Sequence, residues 1–172
     1  MLTTDEVVVA EAVEGLSDQI EAYDDALDDL ESSTEQAKTI RSRKSRLASM
    51  RSGLEWHLTD GDWDDETAVE VGAMTAGEEA MMHREATGGA GPDEMRLWFV
   101  AASLVEGPFV GDTIEETFNE VAGLHPGAVK FFEAKANGLA TASGDEGNRS
   151  GESSPPTTED ETPSTPRPDS TS

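Results

Sequence analysis

From Val9 the apolar positions fall at Val9, Val13, Leu16, Ile20, Tyr23, Leu27 and Leu30, spaced alternately by four and three residues. A helix returns side chains at those intervals to one stripe, so the pattern is a heptad seam. Thr3 and Glu6 have the Ser/Thr-x-x-Glu spacing of a capping box, and a first helix is predicted over about residues 5–31. At Glu31–Gln36 the seam loses phase, and Ser32 with Glu35, or Ser33 with Gln36, offers a second box. A second helix is predicted from there to about Leu58.

The first helix carries acids and no base, whereas the second carries Lys38, Arg41, Arg43, Lys44, Arg46 and Arg51 against Glu35 and Glu55. Folded back as a hairpin, the two pair an acidic face with a basic one and bury Leu16, Ile20 and Leu27 against Ile40, Leu47 and Leu54. A single continuous helix that dimerises is the competing arrangement, and the cap signals favour the hairpin. In both cases residues 1–59 read as an interaction module, with Val9, Val13, Leu16, Ile20, Tyr23, Leu27 and Leu30 as an oligomerisation seam.

Residues 60–142 are predicted to form a small, mainly helical domain. A turn at Asp60–Asp65 leads to a short strand at Thr67–Val71. Thr75-Ala76-Gly77-Glu78 is a further capping box, opening a helix to about Ala86 that the run Gly88–Pro92 stops. A strongly apolar helix follows over Asp93–Glu106, with Met95, Trp98, Phe99, Ala102 and Val105 at helical spacing. Thr113 with Glu116 caps a helix carrying Phe118 and Val121, and Pro126-Gly127 starts a last helix through Phe131 and Phe132 to Leu139. Residues 143–172 are Ser, Thr, Pro, Gly and acids almost throughout, too poor in apolar surface to offset chain entropy, and are expected to be a disordered tail. The fold class is therefore mainly α, with one short β segment.

Charge narrows the partners. Among 172 residues, 37 acids stand against 12 Lys and Arg, for a net charge of -25. Such a surface repels phosphate backbones and anionic membranes, so nucleic-acid and membrane partners are not expected, and a protein partner is. Lysine is confined to Lys38, Lys44, Lys130 and Lys135, and acids spread along almost the whole chain resemble proteins of salt-in halophiles, haloarchaea in particular. The chain has no cysteine, which removes disulfides and thiol chemistry. No run of about 18 apolar residues exists, and the N-terminus is acidic where a signal peptide needs a basic start, so the protein is expected to stay in the compartment where it is made.

Catalytic ingredients are thin. His57, His83 and His125 lie far apart without metal-ligand spacing and read as surface or packing histidines. Asp60-x-Asp62-x-Asp64 begins like a calcium loop, but Asp65 replaces the required glycine and Val71 the closing glutamate. No metal, cofactor or catalytic residue is assigned, and the chain is expected not to be an enzyme.

The order of features from Asp60 carries a resemblance. The turn with Trp63, the strand TAVEVGAM, the Thr-x-Gly-Glu-initiated helix TAGEEAMMHRE, the helix LWFVAASLVEGPF and the closing TIEETFNEVAGLHPGAVKFFEAKANGL together resemble the small tail assembly chaperones of long-tailed viruses of bacteria and archaea. The resemblance spans about 80 residues and lies in packing and turn signatures; the Val9–Leu58 helical module and the tail after Ala142 have no standard counterpart in that family. It implies binding of the tape-measure protein, whose long hydrophobic helices must stay soluble before the tube polymerises, in the host cytoplasm and outside the finished particle. Trp98, Leu104, Phe109, Phe131 and Phe132 are the expected partner-binding residues, in a groove that takes amphipathic helices. A coiled-coil structural or scaffold protein of a haloarchaeal virion or cell is the alternative, and a small haloarchaeal regulatory adaptor a third.

The charge pattern carries its own expectation. Molar salt shortens the Debye length to about 3 Å and screens self-repulsion, so the unfolding midpoint should fall steeply when KCl is removed. A cooperative transition at an unchanged midpoint in low salt would contradict the halophile reading.

Overall fold

The computed structural model describes residues 1–86 and 90–148. Its elements in chain order are β1 (Thr4–Val8), α1 (Val9–Asp28), α2 (Glu35–Thr59), β2 (Ala68–Gly72), α3 (Ala76–Glu85), α4 (Pro92–Ser103), β3 (Leu104–Glu106), α5 (Ile114–Ala122) and α6 (Pro126–Asn148). The described chain is mainly helical, with a small antiparallel sheet of order β1-β2-β3.

Two strands lie where helix was expected. Helix α1 begins at Val9, and the preceding Val7-Val8 run is extended instead, with Val7 opposite Val69 and both buried. β-branched side chains favour that pleated surface, and sheet pairing outweighs the Thr3/Glu6 box, whose Glu6 stands opposite Glu70. The α4 helix likewise ends at Ser103, whose Oγ donates to the Phe99 carbonyl. Leu104–Glu106 then pairs with β2, with an irregularity between Glu70 and Val71, and Gly107 turns the chain at φ 155°.

The hairpin forms. Thr34, one residue beyond the predicted serines, is the α2 N-cap: its Oγ1 accepts the Ala37 N–H at 3.1 Å, while Glu35 pairs with Lys38. Arg41 donates to the Ser32 carbonyl at 2.8 Å and Lys44 pairs with Asp24, fastening α2 back on α1. The predicted oligomerisation seam is thereby spent within the chain. Val9, Leu16 and Ile20 are buried, and Val13, Tyr23, Leu27 and Leu30 are partly buried.

The remaining caps match the sequence closely. Thr75 and Glu78 form both halves of the capping box of α3, and Thr113 Oγ1 accepts the Glu116 N–H at 3.2 Å to open α5. Helix α6 runs past Leu139 to Asn148, through Ala140 and Ala142, which favour continuing a helix already started, and on into Ser-Gly-Asp-Glu-Gly-Asn. The first residues predicted as tail, 143–148, are therefore helical; residues 149–172 and 87–89, the latter including the first two glycines of the predicted breaker, lie outside the described residues.

One hydrophobic core joins the halves divided at residue 59. Val7, Leu16 and Leu54 belong to the same cluster as Val69, Val100 and Phe132. Helices α1 and α6 both pack on α2. Where α2 crosses α6, a Cβ on Gly127 would lie 2.0 Å from the Ser49 carbonyl oxygen, and one on Gly53 2.3 Å from the Ala128 nitrogen. Only glycine permits so close a backbone approach.

Candidate functional site

The five aromatic and aliphatic residues expected to bind a partner do not form one surface. Trp98 stacks on Phe118 with ring centroids 4.2 Å apart and is buried, its indole Nε1 without an acceptor among the described residues. Leu104 is buried at the start of β3. Phe109 stacks on Trp63 at 5.2 Å and lies 5.5 Å from Phe132, which at 1% exposure is the centre of the core. Four of the five are thus core residues, because a domain this small needs its aromatics inside. Phe131 differs. It meets Phe132 edge-on at 5.4 Å and is only partly buried, and it lines a groove.

That groove is elongated and largely apolar. Ala12, Gly15, Leu16 and Gln19 of α1 form one side, Leu47 and Met50 of α2 the floor, and Phe131, Ala134 and Lys135 of α6 the other side, around about 470 Å³. It continues, through shared Leu47, Met50 and Ala134, into a second stretch of about 500 Å³ bounded by Tyr23, Arg43, Arg46 and Asn137. Small residues keep it open: a Cβ added at Gly15 would meet nothing within 4 Å. The end at β1 carries Glu6 and Glu11, and beside them Lys135 is held by Asp5 at 2.5 Å. Arg43 and Arg46 mark the opposite end. Seam residues Leu16 and Tyr23, predicted to contact another copy, line this groove instead. The sequence signal for it is Gly15, a residue without a side chain in the middle of an otherwise regular seam.

A smaller concavity of about 260 Å³ lies between α3, β3 and α5, where Met81 and Val105 are exposed beside Leu104 and Ile114.

Two histidines that sequence spacing kept apart come together. His57, buried on α2, stacks on Trp63 at 4.1 Å, and its Nε2 accepts the His125 backbone N–H at 3.0 Å. His125 Nδ1 in turn accepts the Gly127 N–H at 3.0 Å, satisfying a free donor at the start of α6. Both rings act as acceptors and must be neutral at those nitrogens. They fix the α2–α6 crossing; among the described residues no group of three or more His, Cys, Asp or Glu is placed to hold a metal ion. His83 is exposed on α3, 3.8 Å from Glu79. Asp64 uses a carboxylate oxygen within its own turn, accepting from the Glu66 N–H and the Thr67 hydroxyl.

Burial first, and the neighbouring His125 second, lower the pKa of His57 from its ordinary value of 6.5. A histidine depressed in the folded state stabilises the fold while neutral. That contribution is complete above 6.5 and is lost as pH falls through the lowered value. The unfolding midpoint should therefore drop on acidification below 6.5, and His57→Gln, which keeps an acceptor but cannot titrate, should flatten the drop. An identical pH profile in the two proteins would contradict this role.

Comparison with protein-family models, with curated proteins and with solved structures finds no match to this chain.

Proposed function

We propose that this chain is a tail assembly chaperone of a haloarchaeal virus or provirus, which holds an amphipathic helix of the tape-measure protein in the groove between α1 and α6. The observation that carries the reading is the groove itself: helix-walled, floored by Leu47 and Met50, and long enough to continue from Glu6 to Tyr23. An amphipathic helix recognises such a groove through apolar residues at helical spacing, each contributing about 1.5–3 kcal/mol when fully buried. The acidic exterior keeps chaperone and client dissolved while that apolar face is covered.

The reading requires no catalytic step and no cofactor. On this reading the chain acts in the host cytoplasm and is left out of the mature virion; no described helix is long and apolar enough to cross a membrane. The coiled-coil scaffold alternative has less support, since Val9, Leu16 and Ile20 of the seam it would use are buried within the chain.

Gly15→Arg fills the groove from a position where the added side chain meets no other atom within 4 Å at its base. Co-expressed in molar KCl with a tape-measure protein of a haloarchaeal virus, the natural chain should keep it soluble. Gly15→Arg should lose capture by about tenfold or more, the equivalent of one buried anchor, at an unfolding midpoint that is not lowered and that rises with the better helix propensity of arginine. Equal capture by both proteins would remove the groove from the function, and recovery of the chain in stoichiometric amounts from purified particles would favour the scaffold.

A further inference from the structure

In so acidic a chain seven of the ten described Lys and Arg side chains have a partner. Lys38 pairs with Glu35, Lys44 with Asp24, Arg51 with Glu55, Arg84 with Glu85, Arg96 with Asp93 and Glu133, and Lys135 with Asp5. Arg41 is taken by the Ser32 carbonyl. Arg43, Arg46 and Lys130 remain, with no ion pair and no side-chain hydrogen bond among the described residues, although carboxylates outnumber cations about threefold in the chain.

Two of these three face one concavity. Ser42, Ser45, Arg46 and Ser49 recur at three and four residues along α2 and so share one stripe. With Lys130, Arg96 and Glu133 they line a space of about 570 Å³ between α2 and α6. The three serine hydroxyls also make no hydrogen bond among the described residues. The one carboxylate in the lining, Glu133, is engaged by Arg96 at 3.1 Å. What remains is a guanidinium fork, an ammonium group and three hydroxyls, all able to donate and none opposed by an unpaired carboxylate.

We propose that this face binds a phosphate-type oxyanion. A tetrahedral anion offers acceptors in several directions and so meets donors from two helices at once, where a planar carboxylate would satisfy fewer of them. The space exceeds what a lone phosphate needs and lies in the range of small-molecule sites. A phosphoryl group attached to a small polar molecule therefore fits, as does the free ion. No aromatic side chain lines the site, so recognition of a base by stacking plays no part. The site lies on the flank of α2 outside the apolar groove and does not depend on a client being bound there; Arg46 alone borders both.

The test uses the full chain at constant molar KCl, with inorganic phosphate and glycerol phosphate as probes, followed by amide NMR shifts and titration calorimetry. Saturable shifts are expected at Ser45, Ser49 and Lys130. Arg46→Gln and Lys130→Gln should each weaken binding by about tenfold, the loss of one charge-assisted contact, while Arg84→Gln leaves it unchanged. Tighter binding of glycerol phosphate assigns the site to a phosphorylated molecule, and equal binding to the free ion. Shifts that never saturate and spread over the whole surface, or equal affinity in Arg46→Gln and the natural chain, would overturn the proposal.

Discussion

The contact between Gly53 and Gly127 decides how the two halves of this protein meet. With no Cβ on either side, the backbones of α2 and α6 touch, and a methyl group at Gly127 would overlap the Ser49 carbonyl. That approach places Leu54 and Phe132 in one core and brings the His57 ring within hydrogen-bond reach of His125. It also makes α2 a shared wall. One flank of the α2–α6 pair opens toward α1 as the apolar groove, and the other carries the serine and cation stripe. Both proposed sites inherit their shape from one crossing, so their dimensions are set by rigid helices and not by loops.

Charge is arranged around that frame in an uneven way. On the sheet, Glu6 stands opposite Glu70, and Glu70 opposite Glu106. Like charges at facing positions weaken strand pairing, and salt relieves them. This gives the expected salt dependence a local origin alongside the net charge. The cations are mostly consumed in tying elements together, Lys44 fastening the hairpin and Lys135 joining α6 to the start of the chain through Asp5. Against that background the unpaired Arg46 and Lys130 stand out.

Much of this was legible in the residues. The caps at Thr75 and Thr113, the break between α1 and α2, and the start of α6 at Pro126 all follow from local hydrogen-bonding chemistry that the sequence states directly. The errors lie where tertiary pairing overrides local signals. Val7-Val8 and Leu104–Glu106 can be read as helix ends, and become strands because β2 lies between them. The seam was visible, but its partner could not be, since a heptad pattern says which face is buried and not against what. The expected binding aromatics went into the core for a related reason: composition locates apolar mass without saying which side of it meets solvent. The groove, the histidine pair and the unpaired cations arise only from juxtaposing residues far apart in sequence.

The central claim is that the glycine crossing holds the molecule together, and two alanine substitutions test it directly. Gly138 also lies in α6, but a Cβ there meets nothing within 4 Å. Gly138→Ala should stabilise the protein by up to about 1 kcal/mol through helix propensity alone. Gly127→Ala should destabilise it by about 3 kcal/mol or more, since the methyl group meets backbone that cannot step aside. Measured as unfolding free energies in molar KCl, opposite signs for the two substitutions are the predicted result, and stabilisation by both would contradict it.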